Sequence, residues 1–233
     1  MVESIKCVCV IPARGGSKRI PRKNIRDFLG KPLISYSIET ALESKLFDRV
    51  YVSTEDREIA NISQEFGADI IERPEDLADD FATTLDVINH AKEYLEAEDY
   101  KYFCTIYPTA PLLQIKYLKE GFERLKDSNA VYSFSATSMP FPIWRTFKID
   151  RNGRCEMFFP QYFNSRSQDL EEAYQDAGQF YWERLDRDSN EILFGKDSIP
   201  IIIPRYLVQD IDTLEDWKRA EVLYRILESE NIS

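Results

Sequence analysis

Apolar positions along this chain change their period repeatedly, and each change marks an element. Ile5-Lys6-Cys7-Val8-Cys9-Val10-Ile11 is a nearly continuous apolar run, the pattern of a strand covered on both faces. Leu33, Ile34, Ile38, Ala41 and Leu42 then recur at helical spacing. Val50-Tyr51-Val52-Ser53-Thr54 predicts a second strand, and Ile59, Ile62 and Phe66 a helix that Gly67 ends. A short strand over Asp69-Ile70-Ile71 follows, then a helix through Leu85, Ile88, Ala91 and Leu95 and a strand over Tyr102–Ile106. Leu118, Phe122 and Leu125 give a further helix before the strand Val131–Phe134. This alternation predicts an α/β fold, a mostly parallel sheet flanked by helices.

The rhythm breaks from Met139 to Arg187, where Pro, Phe, Arg and Gln are frequent and apolar alternation is short, as in Arg154-Cys155-Glu156-Met157-Phe158. This stretch reads as a β-rich insertion lying beside the main sheet. Alternation resumes with Ile199–Ile203 and a last helix through Leu214, Trp217, Ala220, Leu223, Tyr224 and Leu227. Thr213 with Asp216 three residues on is the signature of a capping box opening that helix. The expected division is therefore 1–138 with 188–233 as the α/β domain, and 139–187 as the insertion.

Composition narrows the class. At 233 residues, 43% hydrophobic and 30% charged, the chain fits one globular domain with a small appendage. No apolar run approaches the roughly 20 residues needed to span a bilayer. Met1-Val2-Glu3-Ser4-Ile5-Lys6 lacks the regions of a signal peptide, so a cytoplasmic protein is expected. Cys7, Cys9, Cys104 and Cys155 have no zinc-like spacing and read as buried free thiols. A net charge of -11 argues against nucleic acid or a membrane surface as partner. Against that background Arg14, Lys18, Arg19, Arg22, Lys23, Arg26 and Lys31 cluster, with Asp27 as the only acid among them.

That cluster follows the first strand, and ligands of open parallel sheets bind at the carboxyl ends of strands. Arg14-Gly15-Gly16-Ser17-Lys18 offers paired glycines that permit positive φ and let backbone N–H groups approach an anion. Arg14 can fork onto phosphate oxygens and Lys23 adds a mobile point charge. An ordinary glycine-containing turn is the alternative. Gln209-Asp210-Ile211-Asp212 is the second candidate: in an extended segment both carboxylates project to one side. Such a pair beside a phosphate loop suits magnesium, which is usually held by one or two carboxylates plus substrate phosphates. The alternative for Asp212 is an acid favoured by a helix dipole. His90 has no companion in sequence and takes no catalytic role.

The stretch Ile11–Asn24 resembles the N-terminal motif of acylneuraminate cytidylyltransferases, the enzymes that make CMP-sialic acids. Further matches are Val52-Ser53-Thr54-Glu55-Asp56, Pro108-Thr109-Ala110-Pro111-Leu112 and Gln209-Asp210-Ile211-Asp212-Thr213. Tyr107-Pro108-Thr109-Ala110-Pro111 departs from the Gln-Pro-Thr-Ser-Pro usual in sialic-acid enzymes, whose glutamine is implicated in sugar contact. Phe141–Arg145 and Asn164–Trp182 instead look like the pseudaminic acid branch, which serves bacterial flagellin or surface-glycan modification.

The resemblance implies a Rossmann-like domain of the nucleotide-diphospho-sugar transferase type, a dimerisation insertion, CTP and Mg²⁺ as co-reactants, and a nonulosonic acid as acceptor. Nucleotide-binding roles then fall on Ala13, Arg14, Gly15, Gly16, Ser17, Lys23 and Asn24, with Thr83 or Thr84 near the cytidine. Metal-binding roles fall on Asp210 and Asp212, and the catalytic set is Arg14, Lys23, Asp210 and Asp212. A sugar carboxylate needs a cation, for which Arg145 or Arg166 is a candidate. Tyr107, Tyr174, Gln179 and Phe180 are candidates for its polar contacts and apolar walls, or else belong to the core or a homodimer interface. The expected reaction is CMP transfer from CTP to the anomeric hydroxyl of pseudaminic acid, with N-acetylneuraminic and legionaminic acids as alternatives. A metal-dependent glycosyltransferase and a non-catalytic nucleotide binder are the rival classes.

Overall fold

The computed structural model describes residues 6–77, 82–187 and 192–231. Ile5 of the first expected strand, and Asp80 and Phe81 ahead of Thr83, lie outside the described residues. Among the described residues, eleven strands and five α-helices follow in chain order. They are β1 (Cys7–Pro12), the small hairpin β2 (Asp27–Phe28) and β3 (Lys31–Pro32), α1 (Leu33–Ser44), β4 (Arg49–Thr54) and α2 (Arg57–Glu65). Next come β5 (Asp69–Glu72), α3 (Thr84–Leu95), β6 (Tyr102–Ile106), α4 (Ile115–Lys126) and β7 (Tyr132–Ser138). The chain ends with β8 (Phe147–Ile149), β9 (Cys155–Met157), β10 (Tyr174–Arg184), β11 (Ser198–Ile202) and α5 (Leu214–Asn231).

One seven-stranded sheet has the order β11-β7-β10-β6-β1-β4-β5. The β4–β5, β1–β4, β1–β6 and β7–β11 pairs are parallel, and only β10 runs antiparallel to both neighbours. The fold expected from the sequence is therefore the one observed. Alternate residues of β1 show why its run is so apolar. Cys7, Cys9 and Ile11 pack with Ile34, Ile38, Ile59 and Leu118 on one face, and Val8 and Val10 with Ile88, Ala91 and Leu95 on the other. A third cluster joins Ile20, Phe28, Leu33 and Tyr36 to Ile211, Trp217 and Ala220, clamping α5 against the β2–β3 hairpin.

Two expectations are corrected. The stretch 139–187 does not lie wholly beside the sheet, because its last strand, β10, is inserted between β6 and β7. What stands outside is 139–173, an arm carrying the β8–β9 hairpin. The reason is burial: Ala177, Phe180 and Trp182 of β10 are core residues, whereas both strands of the hairpin are largely exposed. Likewise Cys7, Cys9 and Cys104 are buried free thiols, but Cys155 sits on the exposed hairpin. Burial raises the Cys7 pKa to about 12 and pushes those of Cys9 and Cys104 upward as well.

Candidate active site

The parallel strands deliver their carboxyl ends to one edge, and two clefts of about 600 Å³ and 610 Å³ open there. Tyr107, Thr109 and Asp210 line both, so the clefts share a wall.

The loop after β1 forms the floor of the first cleft, where Arg14, Ser17, Lys18, Arg19, Lys23 and Asn24 all line the cavity. Asn24 is buried and its Nδ2 donates to the Arg14 carbonyl at 3.0 Å, closing the loop on itself. Lys23 Nζ donates to the Ile211 carbonyl at 2.6 Å and lies 3.6 Å from Asp212 Oδ1, while Arg19 is 2.8 Å from the same oxygen. Loop and Asp-x-Asp segment, 188 residues apart, thus meet through charge.

The glycines act differently from expectation. Neither Gly15 nor Gly16 is among the residues of positive φ, and the Gly15 N–H donates to Glu55 Oε1 at 2.7 Å rather than facing the cavity. Gly15 is needed for close approach: a Cβ there would overlap the Asp56 carboxylate. Ala13 is fully buried, its N–H bonded to the Ser53 carbonyl at 2.9 Å, so it supports the loop from below. Asp56 caps α2 by accepting from the N–H groups of Glu58 and Ile59, and Arg22 forks onto it. The Arg22 hydrogen bond, and then the two backbone donors against a desolvation cost, bring the Asp56 carboxyl down to about 2.

Arg73, just past β5, was not singled out in the sequence. It lines the first cleft although only 7% exposed, and it donates to the Ser53 carbonyl at 2.9 Å and pairs with Glu55 at 3.3 Å. Burial, and then the charge of Arg14, lower its pKa. With Arg14 and Arg19, Arg73 makes three guanidinium groups lining one cavity, a site for an anion. The signal was available: Arg73 follows a strand at its carboxyl end, where ligands bind. Thr83 and Thr84 line the same cleft with Leu77 and Val87. Thr83 also closes a capping box with Asp86 at the start of α3.

Asp210 and Asp212 both line the first cleft, with Ile211 wholly buried behind them, as the extended reading requires. Burial of its carboxyl, and then the neighbouring Asp212, raise the Asp210 pKa. A carboxylate crowded by another is a place where a hard cation is favoured, and two carboxylates beside a cationic cleft are a donor set that fits magnesium. Among the described residues no group of three or more His, Cys, Asp or Glu gathers as a metal cage. An ion here would complete its shell from phosphate and water.

The second cleft is lined by Tyr107, Thr109, Thr137, Gln175, Asp176, Gly178, Arg205, Gln209 and Arg219, among others. Of the residues expected at the sugar, Tyr107 lines both clefts. Phe180 is corrected: it is fully buried in the core beneath α4, where the packing of β10 needs its ring. Gln179 is also buried, its Nε2 donating to the Leu207 carbonyl at 2.6 Å. Arg145, Arg166 and Tyr174 line neither cleft and are exposed, and Arg166 is paired with Asp169 at 2.7 Å. Asp176 lies inside the Asn164–Trp182 match without being singled out there, and Arg205 and Arg219 have no motif to announce them.

A family model described as cytidylyltransferase matches residues 8–197. The pseudaminic acid cytidylyltransferase of Campylobacter jejuni is 44% identical, covering 95% of this chain and 97% of that protein. An N-acylneuraminate cytidylyltransferase of Escherichia coli is 29% identical over 92% of this chain and 51% of its own length. The solved structure of CMP:2-keto-3-deoxy-manno-octonic acid synthetase complexed with CTP covers 94% of this chain and 98% of its own, with a TM-score of 0.69 and 17% identity. That last likeness is one of fold.

Proposed function

We propose the reaction from a premise that the comparisons establish: the chain belongs to the cytidylyltransferase family. It transfers CMP from CTP to the anomeric hydroxyl of a nonulosonic acid and releases pyrophosphate. The acceptor is pseudaminic acid, a choice supported by 44% identity to an enzyme of that name along nearly the whole chain. The observation that carries the reading is the junction of the two clefts. A cationic pocket able to hold a triphosphate abuts a second cavity, and Asp210 stands on the shared wall.

The sugar hydroxyl attacks the α-phosphorus from the second cleft, and the bond to the β-phosphate oxygen breaks. Arg14, Lys23 and Arg73 offset charge on the triphosphate and on the departing pyrophosphate. Leu77 and Val87 wall the cytosine, with the Thr83 and Thr84 hydroxyls beside it. Asp210 and Asp212 would hold Mg²⁺, which when bound would supply neutralisation of phosphate charge and ease deprotonation of the attacking hydroxyl. Alignment of hydroxyl and phosphorus supplies much of the acceleration.

The enzyme works as a homodimer joined through the arm. Phe141 is 79% exposed, Ile149 and Phe163 68%, and Phe147 and Phe158 56%, more apolar surface than an isolated arm would carry. Arg145 and Arg166, which line neither cleft of their own chain, serve the sugar carboxylate of the partner subunit. A cytoplasmic location suits the three buried free thiols.

The test is pyrophosphate release with CTP and each of pseudaminic, legionaminic and N-acetylneuraminic acids, with and without a chelator. Turnover with pseudaminic acid, abolished by chelation, is expected. Preference for N-acetylneuraminic acid would overturn the acceptor while leaving the chemistry. No release with any of them sinks the reaction itself.

A further inference from the structure

β10 enters the sheet through an irregularity that lies in the second cleft. Asp176 pairs with Ala136 and Tyr181 with Phe134, so Ala177–Phe180 stand against Ser135 alone. The Ser135 hydroxyl accepts from the N–H groups of both Gln179 and Phe180, at 3.1 and 3.2 Å, and closes the bulge. Gly178 takes φ +63° there, which a side chain would resist. Bulges beside active sites re-aim side chains. This one turns Asp176 into the cleft lining.

The carboxylate is then held from two sides. The Gly178 N–H donates to Oδ1 at 2.9 Å and the Tyr181 hydroxyl to Oδ2 at 2.5 Å. Tyr181 packs on Tyr107 with ring centroids 5.3 Å apart, and the Tyr107 N–H donates to the Gln179 carbonyl at 2.9 Å. Burial, Tyr107 and Asp176 all keep Tyr181 protonated, so it remains a donor. A chain of contacts therefore runs from the residue that replaces the usual glutamine to the bulge and its acid.

We infer that Asp176 is a specificity-determining residue of the sugar site, accepting a hydrogen bond from a hydroxyl or acylamino N–H of the nonulosonic acid. The inference rests on the reading of the second cleft as the sugar site. A carboxylate offers about four lone-pair sites and no donor, so two remain after Gly178 and Tyr181 are served. Such an acceptor admits a sugar that presents a donor and rejects an isomer that presents an acceptor or an apolar group there.

Asp176→Asn keeps the shape and a carbonyl oxygen for Gly178 but replaces the other oxygen with an NH₂ donor. The expected result is a rise of about 10- to 100-fold in KM for pseudaminic acid, as for loss of a hydrogen bond to a charged group, with the CTP KM and melting temperature unchanged. Tyr181→Phe, which removes only the buttress, should raise the same KM by less. An unchanged sugar KM in Asp176→Asn, or a joint rise of both KM values with a fall in melting temperature, overturns the inference. Calorimetric titration of pseudaminic acid into parent and Asp176→Asn keeps the test separate from turnover: weaker binding by the variant is expected, and equal binding overturns it. A parent that binds the sugar acid but releases no pyrophosphate sinks the proposed reaction instead.

Discussion

Asp210 and Asp212 are two residues apart, yet their surroundings divide the work between them. Asp212 is already compensated by Arg19 and Lys23, whereas Asp210 is crowded by burial and by Asp212. Asp210→Ala should therefore fold normally and lose magnesium-dependent turnover; full activity in that variant would sink the metal assignment. Asp56 makes a different prediction. Its folded pKa of about 2 lies below the usual 3.8, so it stabilises the fold above pH 4 and loses that contribution as pH falls towards 2. Asp56→Asn should be less stable than the parent at neutral pH, with the gap closing towards pH 2 in urea unfolding. A gap independent of pH would show that the Arg22 contact contributes no linkage. The residues named most securely from sequence, Arg14, Lys23, Asp210 and Asp212, lie in contiguous motifs. Gly15 was named for the wrong reason, because its neighbours Glu55 and Asp56 are 40 and more positions away.

Elements were legible wherever one periodicity filled them. β1, β4 and β6, the five helices α1 to α5 and the Thr213–Asp216 capping box all follow from spacing, and boundaries shift by only a few residues. β10 was missed because its neighbours in sequence are irregular and its own pattern is broken by the bulge at Gly178. Its partner across the core is α4, where Gly121 leaves room for the rings of Phe180 and Trp182. A Cβ there would stand 2.8 Å from Phe180 Cε2 and 3.1 Å from Trp182 Cδ1. Both rings are fully buried, and Trp182 is packed against Phe47 and Phe122 as well. Gly121→Ala should thus destabilise by about 1–3 kcal/mol despite the better helix propensity of alanine, through overpacking. Urea unfolding gives the loss, and the KM for CTP should stay as in the parent. A stabilised variant would mean that β10 is looser than its packing indicates.

At the scale of the whole molecule, the exposed apolar side chains of the arm 139–173 are what the proposed homodimer would cover. They are spread over a hairpin and short turns that cannot bury them alone, and a stable interface needs on the order of 1,200–2,000 Å². Light scattering should give a mass near twice the 27.3 kDa of one chain, and Phe147→Ser with Phe163→Ser should shift it towards one. The division of labour across the interface has a sharper test. If Arg166 serves the partner's cleft, Arg166→Ala and Asp210→Ala homodimers should each be poorly active but complement one another after mixing and subunit exchange. In the mixed dimer the Arg166→Ala chain keeps its own Asp210 and receives an intact Arg166 from its partner. Random pairing makes half the dimers mixed, each with one complete site of two, so activity should recover to about a quarter of the parent's. No recovery would place Arg166 in service of its own chain, and an Arg166→Ala enzyme with undiminished activity would remove it from the site.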